Sequence, residues 1–114
     1  EDEFQGMENQ MIDMNKDWLP LGSVVRLEGG ERLLMITGFM AINGEDGKAY
    51  DYIAYPYPEG KQIGQELFFD REIIEEIHHM GYQSSLGLLF WKNLELSEEN
   101  YLIEKAKRQK ASTC

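Results

Sequence analysis

Cysteine is nearly absent: Cys114 is the only one among 114 residues, which excludes a disulfide framework and fits a reducing compartment. Basic side chains are also few, 11 Lys and Arg against 21 Asp and Glu, leaving a net charge of −10. A field of that sign repels phosphate backbones, so no nucleic-acid partner is expected and a basic polypeptide is favoured. No apolar run is long enough to span a bilayer and no signal peptide opens the chain, so a soluble cytoplasmic protein with no membrane partner is expected. Two histidines, His78 and His79, with no second cysteine, leave no tetrahedral metal set. The glycine turns at Gly29-Gly30 and from Gly44 to Gly47 lack the lysine and the helix start of a phosphate loop. No triad can be read either, so neither catalytic residues nor cofactors are expected, and Asp51, Glu59 and Asp70 read as acids at strand ends and caps.

What is present suffices for one domain with one core, the apolar fraction being 42% and ordinary for a globular fold. Residues 1–17 form an acidic arm in which Lys16 is the one cation, with Met7, Met11 and Met14 at helical spacing. Phe4-Gln5-Gly6 reads as what a protease leaves of a cleaved tag, with Met7 the expected native start. Residues 18–96 are expected to be an α+β domain, and residues 97–114 an amphipathic helix and tail.

Order is expected from Trp18, where Pro20 and Gly22 bend the chain into a strand over Val24-Val25-Arg26-Leu27-Glu28. Gly29-Gly30 signals a hairpin, because two glycines can take the positive φ of a tight turn. Arg32 to Ile42 returns as a strand apolar on both faces, hence central, with a bulge or close approach at Gly38. After the turn at Asn43 to Gly47 comes a third strand, and Gln62 to Phe69 holds a short fourth. Asp70 then reads as an N-cap for a helix over Arg71 to Met80, because Ile73, Ile74, Ile77 and Met80 fall at helical spacing and Gly81 can close it in a left-handed conformation. Leu86 to Leu96 fits a buried helix or a strand by period, with helix preferred. Ser97 reads as the cap of a last helix to about Gln109, its end lined with basic side chains. The sum is an antiparallel sheet of about four strands with helices packed on one face.

The densest signal is Tyr50-Asp51-Tyr52-Ile53-Ala54-Tyr55-Pro56-Tyr57-Pro58-Glu59-Gly60, which holds four of the six tyrosines. Strand alternation puts Tyr50 and Tyr52 on one face and Tyr55 and Tyr57 on the other, unless a bulge near Ala54 resets the register. One face enters the core. The other presents phenols, which suit interfaces by their large area and low entropy cost, so Tyr50, Tyr52, Tyr55, Tyr57 and Glu59 are the partner-binding candidates. If Leu86 to Leu96 leaves an apolar face exposed, a homodimer is open as well.

Leu19-Pro20-Leu21-Gly22-Ser23-Val24-Val25, Gly29-Gly30, Leu34-Met35-Ile36-Thr37-Gly38, Tyr50-Asp51-Tyr52, Tyr55-Pro56-Tyr57-Pro58-Glu59-Gly60 and Phe69 with Ile73, Ile77 and Gly81-Tyr82 resemble the small Bacillota proteins of the domain of unknown function 4176 family, over about Leu19 to Tyr82. The Tyr-Pro-Glu-Gly ending is the most specific part. Members of that family are usually encoded beside LXG toxins of the type VIIb secretion system. The resemblance implies a non-enzymatic chaperone or targeting adaptor that binds a segment of an LXG-type toxin for export. The residues are compatible with that role, since an acidic single domain with surplus aromatics and an edge strand could hold an apolar or basic segment by strand addition or in a groove beside the last helix. An immunity protein that neutralises the toxin's catalytic domain, and a small enzyme with a polar pocket around Asp51, Glu59 or His79, are the competing expectations.

Overall fold

The computed structural model describes residues 13–112, so most of the acidic arm and the expected start at Met7 lie outside the described residues. Five strands, β1 (Val24–Leu27), β2 (Leu33–Ile42), β3 (Ala49–Pro56), β4 (Leu67–Phe69) and β5 (Ile74–His79), form one antiparallel sheet in the order β4-β3-β2-β1-β5. A 3₁₀ turn, Arg71–Ile73, precedes β5, and one helix, α1 (Ser85–Ser112), ends the described chain. The class is α+β, with one strand more than the sequence suggested and, among the described residues, one helix where three were expected.

The hairpin β1–β2 turns through Gly29, which alone of its glycine pair has a positive φ, +77°. β2 is central, between β1 and β3, and its register shifts between Ile36 and Gly38 as expected of an interrupted strand. Gly38 also permits a close approach, since a Cβ there would lie 2.7 Å from Ile53 Cγ2.

The helix expected over Arg71 to Met80 is instead the 3₁₀ turn and β5, and the reason lies in the ladder with β1. Leu27 pairs with Ile74, Arg26 with Glu76, Val25 with Ile77 and Val24 with His79, so one extra β5 residue enters at Glu75 and another at His78. Each bulge adds one residue to a two-residue strand repeat. Apolar residues three apart, Ile74, Ile77 and Met80, therefore all meet the core. Asp70 caps nothing by its side chain, and Gly81 follows a strand without a positive φ. A Cβ on Gly81 would collide with the Leu21 carbonyl, so that glycine serves close backbone approach.

Leu86 to Leu96 is helical, as preferred, but it continues through Ser97 without a break. Ser97 is an exposed mid-helix residue and caps nothing; Ser84 is the cap, its Oγ accepting from the Gly87 N–H at 3.0 Å. The boundary placed between residues 96 and 97 falls inside this helix.

The core gathers Leu19, Val25, Ile36, Tyr52, Phe69 and Ile74, all at most 2% exposed, together with Trp18, Leu34, Ala54 and Leu94. Each large side chain buried in this way contributes about 1.5–3 kcal/mol. Trp18 stands at its centre, edge-on to Phe39, Tyr52 and Tyr101.

Candidate functional site

The structure separates the tyrosine candidates. Tyr52 is completely buried, its ring 5.5 Å from that of Phe69 and its hydroxyl accepting from the Leu19 N–H at 2.7 Å. It has no surface to offer a partner. Burial pushes its phenol pKa up.

Tyr50 does not share Tyr52's face. Its ring lies 5.9 Å from Phe68, which pairs across the ladder with Ile53, one residue out of phase with Tyr52. The alternation breaks at Asp51, opposite Met40, which has a left-handed backbone at φ +50°. There Asp51 and Tyr52, though consecutive, both turn inward. The Tyr50 hydroxyl donates to Asp46 Oδ2 at 2.7 Å, and this bond with partial burial pushes its pKa up to about 12. Tyr55 is half-buried opposite Met35, and Tyr57 is half-exposed at the turn that Gly60 closes with a positive φ. Glu59 accepts from Arg32 at 2.6 Å in a solvent-exposed pair that water and salt screen. Tyr50, Tyr55, Tyr57 and Glu59 thus keep some contact with water, and Tyr52 keeps none.

Asp51 is the residue the sequence most understated. Its side chain is 3% exposed; Oδ2 accepts from the Arg71 backbone N–H at 3.0 Å and from Arg71 Nε at 2.9 Å. Oδ1 accepts from the Tyr101 hydroxyl at 2.7 Å and from Lys105 Nζ at 3.3 Å. Lys105 also donates to Asp70 Oδ1 at 2.6 Å, and that oxygen accepts from the Asp51 N–H at 3.0 Å. The guanidinium of Arg71 further donates to Lys16 O and to Glu98 Oε2, and lies 4.1 Å over the Trp18 ring. Burial by itself would raise the Asp51 pKa, but the bonds from Arg71 and Tyr101 and the two cations hold it below the ordinary carboxylate range. The Tyr101 phenol moves up, through burial and its bond to Asp51. The network clamps the second half of α1 to β3, joined by Gln109 Nε2 donating to Ala49 O at 3.1 Å. Its acceptors are filled from within the protein, as in a structural fastening. Asp51, Glu59 and His79 are not brought together: Glu59 sits at an outer turn, and His79 on the exposed β5 edge. No group of three or more potential metal ligands occurs among the described residues.

The first half of α1 is the opposite case. Between it, Trp18 to Leu21 and the Thr37 to Met40 stretch of β2 runs a groove of about 1140 Å³, floored by Phe39, Leu94 and Trp91. Its rim leaves large apolar side chains in water: Tyr82 is 84% exposed, Leu86 78% and Leu89 63%, with Leu21 and Phe90 about half exposed. Trp91 Nε1 and Gln83 Nε2, both in the lining, are buried donors with no hydrogen-bond partner among the described residues. The apolar count of Leu86 to Leu96 was visible in the sequence. That half of it stays wet was not, because period shows which residues share a face and not whether a neighbour covers it.

Fold and groove together define an α+β protein that exposes an apolar surface along a helix. The chain belongs to the family described as Domain of unknown function (DUF4176), whose model matches residues 18–90. No curated protein and no solved structure matches it.

Proposed function

We propose that this chain is a non-enzymatic accessory protein, a cytoplasmic chaperone or targeting adaptor that holds a segment of an LXG-type toxin for the type VIIb secretion system. The observation that carries the binding role is the groove between the first half of α1 and β2. Monomeric soluble proteins rarely leave large contiguous apolar patches in water, and those they leave mark interaction sites. At about 1140 Å³ the groove is larger than the roughly 300–1,000 Å³ of small-molecule pockets, and it fits a polypeptide segment.

Of the two binding modes considered, the groove is the better supported. The sheet's edges are poor templates for an added strand: β4 has three residues, and β5 is twice bulged and carries Glu75, Glu76, His78 and His79. No helix among the described residues is long and apolar enough to cross a membrane. The net charge of −10 favours a basic partner.

Co-expression with the product of its genomic neighbour, which the reading takes to be an LXG toxin, followed by size exclusion, tests the reading: one complex is expected, and separate elution at micromolar concentration overturns it. Truncated toxins separate the roles. A chaperone retains the LXG-side fragment, whereas retention of the C-terminal fragment makes the chain an immunity protein.

A further inference from the structure

The helix α1 turns one face, partly apolar and partly charged, to the rest of the protein and leaves an opposite stripe largely in water. Trp91, Glu98 and Lys105, seven residues apart, face inward and are part-buried against the core and the Asp51 network. Diametrically opposite run Leu86, Leu89, Asn93, Leu96, Asn100 and Ile103, spaced alternately three and four. All six are exposed, Leu96 at 80% and Ile103 at 52%. That spacing is the heptad repeat of a two-stranded coiled coil: Leu86, Asn93 and Asn100 at its a positions, Leu89, Leu96 and Ile103 at d. The seam runs for about 27 Å at 1.5 Å per residue. Asparagine at a is the residue that fixes register and two-strandedness in such pairs, at a cost in stability.

The flanking charges choose the partner. Lys92 and Glu99 occupy g positions and Glu104 an e position, where Glu104 already contacts Arg108 at 3.4 Å. In a parallel pair a g residue faces the e residue of the next heptad on the other strand. Two copies of this chain would therefore set Glu99 against Glu104 on both sides, while each molecule carries a net charge of −10. An antiparallel pair of copies would set Asn93 against Leu96 and Asn100 against Leu89, leaving buried amides without amide partners.

We propose that this outer seam of α1 pairs in parallel with a helix of a different protein, whose own seam is apolar with asparagine at matching a positions and whose flanks are basic opposite Glu99 and Glu104. The proposal rests on the reading of the chain as a binding protein and names the recognition element: a heptad helix. The seam's first turns, Leu86 and Leu89, also border the groove, so one helical partner can contact both.

The probe is a labelled peptide of about four heptads, with Leu at d, Asn at the second and third a positions and Lys at e and g, titrated by fluorescence anisotropy into the full chain. A second peptide has Glu at e and g. Binding of the lysine peptide, at least tenfold weaker binding of the glutamate peptide, and inversion of that preference by Glu99→Lys with Glu104→Lys are expected. Leu96→Asp with Ile103→Asp is expected to weaken binding at least tenfold with an unchanged circular dichroism spectrum, since neither side chain is in the core. Lysine-peptide binding that survives this double substitution, or no binding at all, overturns the proposal. So does sedimentation of the free protein as a dimer that Leu96→Asp dissolves, because the seam's occupant is then a second copy. Failure here is separable from failure of the accessory role: toxin co-elution that persists in the Leu96→Asp, Ile103→Asp variant removes the seam and keeps the role, and peptide binding without co-elution does the reverse.

Discussion

Asp51 shows how much of this fold hangs on one carboxylate. Its partner Arg71 is 9% exposed at the side chain, and a guanidinium so placed cannot shed its charge. Asp51→Asn keeps the shape but leaves that cation with Glu98 as its remaining ion pair. Loss of one member of a buried pair costs about 3–5 kcal/mol, and urea unfolding at neutral pH is expected to show a loss of that order. The pH dependence follows from the direction of the shift. Because the Asp51 pKa is lower in the folded protein, its stabilising contribution is complete above the unfolded value of about 3.9 and fades as pH falls through the folded one. The stability lost between pH 7 and pH 3 is therefore expected to be smaller in Asp51→Asn than in the parent. Equal losses would show that folding leaves the Asp51 pKa where it is in the unfolded chain. None of this was legible in the sequence, where Asp51 reads as an acid at a strand end; the break opposite Met40 is what turns it inward.

At the scale of elements, the sequence was clearest where local chemistry decides the outcome. Gly29 and Gly38 stand where their backbone freedom implied, and β1, β2 and β3 lie within a residue or so of expectation. It misled where a tertiary device imitates another period. Two bulges in β5 make residues 74, 77 and 80 a strand face, although three-residue spacing is the mark of a helix. Helix propensity does not rescue the segment, because Ile73, Ile74 and Ile77 are β-branched. Deleting Glu75 tests this account. Without the extra residue, Ile77 and Met80 move to the wrong face of the strand. The deletion is expected to destabilise by more than Ile74→Ala, itself worth about 2–5 kcal/mol, as measured by urea denaturation. If the deletion costs less than 1 kcal/mol, about the effect of an ordinary surface change, the bulge does not set the register. A similar masking explains α1, where apolar residues on both faces of its first half hid which one is covered.

Over the whole molecule, charge and apolar surface are divided between different tasks. On the proposed binding role, ten excess negative charges act at a distance to steer a basic partner into encounter, an effect that salt screens over about 10 Å at 0.1 M. The groove acts only in contact. In a complex of the proposed kind, Leu86 and Leu89 on its rim would be stabilised by leaving water, which salt at moderate concentration barely changes, so they would govern how long it lasts. Association with a basic helical partner is therefore expected to slow about tenfold or more between 0.05 and 0.5 M salt, with dissociation changing less than about twofold. Leu86→Glu is expected to do the converse: dissociation faster by about tenfold, association within about twofold. Because Leu86 is 78% exposed in the free chain, this variant should unfold at the parent's urea midpoint. Stopped-flow measurements on both proteins at the two salt concentrations separate the contributions, and salt acting mainly on dissociation would mean that ion pairs, not the greasy rim, hold the complex together.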